Sequence, residues 1–171
     1  MCCYRIGSGA GGVNIALVRE HGATTVVGVD VQKEFAELAT ERAVAAGLAD
    51  QISYRLIEPG PLLFANTSFD VVFSKDSIIH IQDKDALYAE AFRVLRPGGR
   101  LLVGDWLRGH GNELTPQVAS FVRAAEHGFA MASLYDIEAI ARRWASSTSR
   151  SRTGDRGTSK KPLRSYSVCA R

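Results

Sequence analysis

The sequence predicts a doubly wound, mostly parallel α/β sheet, and three observations carry that expectation. Short apolar runs alternate with amphipathic helical stretches along most of the chain, an order that closes into a parallel sheet with helices on both faces. A glycine-dense turn, Ile6-Gly7-Ser8-Gly9-Ala10-Gly11-Gly12, opens the first helix. A carboxylate, Asp30, then closes the next strand, at roughly the twenty-residue separation that a βαβ unit sets between a ligand-facing turn and a ribose-binding acid.

The elements follow in order. The glycines succeed a short strand, and residues 11–21 form a helix that offers Val13, Ala16, Leu17 and Val18 to the sheet before Gly22 stops it. Thr24–Asp30 is the second strand. Residues 32–46 repeat apolar groups at spacings of three and four, Phe35, Leu38, Ala39 and Ala43, and Gly47 ends that helix. Ile52–Ile57 is the third strand, with Glu58 at its carboxyl end and Pro59-Gly60-Pro61 forcing a loop. Phe69–Phe73 is apolar and β-branched, as a strand covered on both faces must be, and it runs into Ser74-Lys75-Asp76. From Asp83 to Arg96 the stripe Leu87, Ala91, Val94 and Leu95 marks a helix, ended by Pro97-Gly98-Gly99. Arg100–Gly104 is the fifth strand and leads into Asp105 and Trp106.

Two further helices are expected. Thr115 caps the first, with Pro116 at its first position, Val118, Phe121, Val122 and Ala125 on its buried face, and Gly128 as its stop. Ser133 caps the second, with Asp136 placed to return the bond, and Ile137, Ile140, Ala141 and Trp144 form its face. Residues 1–145 thus read as one domain. Beyond Ala145 the pattern gives way to Ser, Thr, Gly, Lys and Arg, so residues 146–171 are expected to be a basic, disordered tail.

Composition bounds the function. A chain of 171 residues, 46% hydrophobic and 23% charged, suits one domain with a core of its own. Its apolar runs are shorter than the roughly eighteen residues of a membrane span, and Met1-Cys2-Cys3-Tyr4-Arg5 has no signal-peptide h-region. A cytoplasmic protein is expected. Cys2, Cys3 and Cys169 have neither disulfide-framework nor zinc spacing, so no metal site is expected. The formal charge of +3 conceals a basic tail, seven Lys or Arg against Asp155 alone after residue 145, on a mildly acidic body. Such a tail is more often solvated than bound to nucleic acid, and no nucleic-acid partner is expected.

The glycine spacing leaves two cofactor classes open. Gly7, Gly9 and Gly12 satisfy a dinucleotide pattern, whereas Gly7, Gly9 and Gly11 satisfy that of methyl-donor sites. Asp30, Glu58, Asp76 and Asp105 each close a predicted strand, where parallel sheets bind ligands. If residues 76–80 begin a helical turn, Asp76 and His80 share a face at a spacing of four. An imidazole there can take the proton of a nitrogen nucleophile near neutral pH. A helix-face histidine bonded to Asp76 for structure alone is the other reading. His21, His110 and His127 have no such setting.

Across roughly residues 6–108 the chain resembles the class I S-adenosylmethionine-dependent methyltransferases, whose fold is Rossmann-like. Ile6–Gly12 resembles the first motif of that family, Gly28-Val29-Asp30 the second, and Val94-Leu95-Arg96-Pro97-Gly98-Gly99 the turn before its fifth strand. Within it, Phe69–Ile81 followed by Asp83-Lys84 is similar to phosphoethanolamine N-methyltransferases, with small-amine and glycine-betaine pathway enzymes as near alternatives. The resemblance implies S-adenosyl-L-methionine as cofactor and a small amine such as phosphoethanolamine as acceptor. It places the backbone of Gly7, Ser8 and Gly9 against the amino-acid part of the cofactor, Asp30 on the ribose and Val31 on the adenine. Glu58 would accept from the adenine amino group, Asp76 and Ser77 would line the pocket, and His80 would be catalytic. Arg5 stands where the family has an acid, and is expected near the sulfonium unless its long side chain swings out. A fold truncated at both ends is expected, lacking an N-terminal cap with its tyrosine and the sixth and seventh strands. A C- or O-methyltransferase of quinone or natural-product type and a non-catalytic cofactor-binding remnant are the alternatives.

Overall fold

A computed structural model describes residues 1–62, 64–107, 116–124, 128–150 and 165–170. In chain order the elements are β1 (Cys2–Ile6), α1 (Gly12–Arg19), β2 (Thr25–Asp30), α2 (Lys33–Ala45), β3 (Ile52–Leu56), β4 (Phe69–Lys75), a 3-10 turn (Ile78–His80), α3 (Lys84–Val94), β5 (Leu95–Asp105), α4 (Pro116–Ala124), α5 (Leu134–Arg150) and β6 (Ser165–Ala170). The strands form one parallel sheet in the order β3-β2-β1-β4-β5-β6. The order reverses direction at β1, where the chain leaves β3 and returns to the other side. In open parallel sheets the ligand crevice opens at that switch point, beyond the carboxyl ends of the strands.

Alternation along each strand feeds two cores. Tyr4, Ile6, Val72, Leu101 and Val103 turn to one face and pack with Tyr88, Ala91 and Phe92 of α3 and Ile137 and Ala141 of α5. Cys3, Val26, Ile52 and Val71 turn to the other, against Ile15, Leu17 and Val18 of α1 and Ala43 of α2. The period-two pattern of a doubly covered strand is therefore apolar at every step.

Several sequence expectations are corrected. In α2 only Ala39 and Ala43 are buried; Phe35 and Leu38 lie 39% and 37% exposed at the edge of the helix footprint. Helix α3 stops at Val94 because Leu95 already pairs with Phe69, so β5 begins before the Pro97-Gly98-Gly99 turn and the register then jumps to Val71 opposite Arg100. Phe121 of α4 does not pack as a core residue but is 64% exposed. The cap expected at Thr115, and Ala125, lie outside the described residues.

Helix α5 runs on to Arg150, and Ser165–Ala170, expected to be disordered, pairs in parallel with Arg100–Asp105 as β6. The unpaired N–H and C=O groups along β5 supply a template that local composition does not reveal.

Candidate functional site

The glycine turn is built around contacts that a side chain would obstruct. Gly7 has φ of +67°, and a Cβ there would lie 2.1 Å from the Ser77 hydroxyl. Any other residue would meet both backbone strain and a clash. Gly9, at φ +49°, has nothing within 4 Å of an added Cβ, so its outer side stays open to a ligand. Ser8 N–H donates to Val29 O at 2.9 Å, and Gly9 N–H donates to Asp30 Oδ2 at 2.7 Å. Gln32 N–H gives the other carboxylate oxygen a bond of 3.1 Å. Asp30 is thus fixed by its own backbone neighbours. A carboxylate offers about four lone-pair directions, so acceptor capacity remains for hydroxyl groups arriving from the crevice.

The rim continues on both sides of the turn. Val31 is 56% exposed beside Asp30. Ile57 N–H donates to Asp30 O at 2.9 Å, which ties the end of β3 to the same rim and sets the exposed Glu58 on it. Across the switch point, Ser77 Oγ lies 3.0 Å from Lys75 O and 3.4 Å from Gly7 O, linking β4 to the glycine turn. Asp76 takes φ of +53°, donates its N–H to Gly104 O at 2.9 Å, and pairs through its carboxylate with Lys75. A left-handed aspartate at the end of a strand is a strained placement of the kind that gathers at functional sites.

The helical turn expected from Asp76 to His80 does not form. Asp76 is left-handed, and the 3-10 turn starts only at Ile78, so the spacing-of-four argument fails. His80 nevertheless reaches the surface. Its ring lies 5.3 Å from that of Phe129, tilted by 34°, and Phe129 stacks in turn on Phe121 at 6.2 Å and 14°. This aromatic series is not legible in the sequence, where Phe121 falls on the expected buried face of its helix and Phe129 lies just beyond Gly128, the expected stop.

Arg5 departs from expectation as well. Its side chain is 6% exposed, neither swung out to solvent nor presented at the crevice surface. It packs on the α1 side of the sheet, with the guanidinium 3.5 Å from Asn14 Oδ1 and 5.8 Å from the centre of the Phe73 ring. Burial lowers its pKa, while Tyr54 and the carboxylates of Asp30 and Asp76 act in the opposite direction. Arg5 Nε, Asn14 Nδ2 and Ser8 Oγ have no hydrogen-bond partner among the described residues.

Of the four acids expected at strand ends, Asp105 faces inward. It is 3% exposed and accepts from Ile79 N–H at 3.0 Å and Trp106 N–H at 2.8 Å. Lys84, buried at 8% exposure, donates to Ile78 O at 2.9 Å and Ile81 O at 2.7 Å. Asp105 is expected from the sequence as a strand-end acid, and Lys84 only as part of the Asp83-Lys84 motif that carries the family resemblance. Groups of three or more metal-ligating side chains are absent among the described residues.

A sheet whose order reverses at β1, a glycine turn with an open side and a rim carboxylate fixed beside it make the arrangement that doubly wound sheets use for nucleotide-type cofactors. Residues 4–103 match the family profile described as Methyltransferase domain, and the chain belongs to that family. Methyltransferase GfsG of Streptomyces halstedii is 40% identical over 100 residues, which cover 58% of this chain and 36% of that protein. Phosphoethanolamine N-methyltransferase 1 of Arabidopsis thaliana is 31% identical over 134 residues, 78% of this chain and 26% of the relative. Among solved structures, Haemonchus contortus phosphoethanolamine N-methyltransferase 2 in complex with phosphomonomethylethanolamine and S-adenosylhomocysteine superposes with a TM-score of 0.76 and 32% identity, covering 84% of this chain and 33% of that one. The chain therefore spans about a third or less of the length of these relatives.

Proposed function

We propose that this domain binds S-adenosyl-L-methionine and transfers its methyl group to the nitrogen of a small amine, with phosphoethanolamine the first acceptor to test. The observation that carries the reading is the Gly9–Asp30 hydrogen bond at 2.7 Å, which holds a carboxylate beside the open side of the turn, where a ribose presents two hydroxyl donors. When bound, the cofactor supplies an electrophilic methyl group on a positively charged sulfur.

The residues of the chain do the rest. Asp30 accepts from the ribose hydroxyls, Val31 packs on the adenine, and Glu58 accepts from its amino group. The backbone of Gly7, Ser8 and Gly9 takes the amino-acid end, and Asp76 and Ser77 line the pocket between the turn and β4. His80, which is exposed, accepts the proton that an amine must lose before its lone pair attacks carbon. Aligning nitrogen, methyl carbon and sulfur accounts for most of the acceleration.

Calorimetric titration with S-adenosylhomocysteine is the first test. Micromolar affinity that falls at least about tenfold in Asp30→Ala supports the site; no binding by a folded chain overturns it. Transfer of labelled methyl to phosphoethanolamine, reduced about a hundredfold or more in His80→Ala with cofactor affinity retained, supports the amine reading. The exposed Phe121 stacked on Phe129 beside His80 favours a second reading, transfer to oxygen or carbon of an apolar natural product. That reading gains if phosphoethanolamine is inert and a hydroxylated aromatic or macrocyclic acceptor is methylated independently of His80.

A further inference from the structure

The short segment that carries His80 is tied by hydrogen bonds to Asp105, Lys84 and Ala130. Ile79 N–H donates to Asp105 Oδ2 at 3.0 Å, and the Lys84 ammonium donates to Ile78 O and Ile81 O at 2.9 and 2.7 Å. His80 N–H reaches Ser77 O at 3.2 Å, Ile81 N–H reaches Ile78 O at 2.9 Å, and Ile79 O accepts from Ala130 N–H at 2.7 Å. The last bond joins the turn to the residue following Phe129, whose ring faces that of His80.

Lys84 is a costly choice for this place. It is the first residue of α3, where the helix dipole disfavours a cation, and it is almost wholly buried. Burial lowers its pKa, with Asp105 restoring part of the charged form. An apolar residue would satisfy the core at lower cost, so a local rule is broken without a packing gain. What the ammonium provides is a rigid cross-brace between two carbonyls of one turn, with the Asp105 carboxylate bracing the amide between them.

Resting on the reading of His80 as proton acceptor, we propose that Lys84 and Asp105 are positioning residues, which clamp the Ile78–Ile81 turn through two of its carbonyls and the Ile79 amide and thereby set the His80 ring against the methyl acceptor. They touch neither acceptor nor cofactor. Their effect on turnover passes through His80.

The full chain carrying Lys84→Met is compared with the parent, with His80→Ala and with the double variant. A positioning role predicts that Lys84→Met lowers kcat by about tenfold or more, with S-adenosylhomocysteine affinity changed less than about twofold, and that the same substitution costs less than about twofold in the His80→Ala background. An equal loss in both backgrounds, or no loss in the parent, overturns it. If Lys84→Met does not fold, Asp105→Asn takes its place in the same cycle. A readout independent of turnover separates failure of the clamp from failure of the proposed activity: the clamp predicts faster exchange of the Ile79 amide and displaced His80 ring resonances in the Lys84 or Asp105 variant. Unmoved His80 resonances in a folded variant overturn the clamp, whether or not the chain methylates an amine.

Discussion

Beneath the glycine turn, Arg5 carries a full guanidinium into a space where Nε finds no partner among the described residues and the bond to Asn14 is long, at 3.5 Å. A buried charge with incomplete hydrogen bonding costs more than it returns. Arg5→Met keeps the length and apolar body of the side chain and removes the charge. It is expected to raise unfolding stability by about 1 kcal/mol or more, read as a higher urea midpoint at unchanged slope. At the same scale, the visibility of the candidate site residues in the sequence was uneven. Gly7, Gly9 and Asp30 declared themselves because backbone geometry admits few alternatives at a tight strand-to-helix turn. The shared grip of Lys84 and Asp105 on one turn did not, because the two stand 21 positions apart and only packing brings both to it.

Between elements, Asp70 fastens β1 to β4 and β5: its carboxylate accepts from Cys2 N–H at 2.7 Å and from Arg96 Nη1 at 2.8 Å. The Cys2 amide first and the Arg96 guanidinium second hold its pKa below the ordinary carboxylate value. A depressed folded-state value contributes stability above the unfolded-state pKa, and that contribution is lost as pH falls through the folded value. Asp70→Asn should therefore lose less stability than the parent when the pH is lowered from 7 to about 3, as measured by denaturant titration at the two values. Helix α5 shows the same element-level logic read correctly from sequence. Ser133 Oγ accepts from Asp136 N–H at 3.1 Å and donates to Asp136 Oδ2 at 2.7 Å, the reciprocal cap expected from the spacing. Its inner face, Ile137 and Ala141, is buried as the period requires. Trp144 and Arg143 then reach Asp85, each at 3.0 Å, and bind α5 to α3.

For the whole molecule, β6 completes the described sheet by pairing with the outer edge of β5. Truncation after Arg150 should expose that edge and drive self-association through strand pairing, seen as a mass above the monomer in size-exclusion chromatography with light scattering; an unchanged mass would show that β6 does not protect it. The order of elements, the parallel sheet and the rim of Gly7, Gly9, Asp30 and Ser77 were determined by the sequence, since alternating periods and glycine turns act through neighbours in the chain. Tertiary structure alone decided the inward turn of Asp105, the burial of Arg5, the exposure of Phe121 where it stacks on Phe129, and the pairing of Ser165–Ala170. Each depends on what lies opposite across the sheet or the crevice, and a local pattern holds no information about a surface supplied by residues far along the chain.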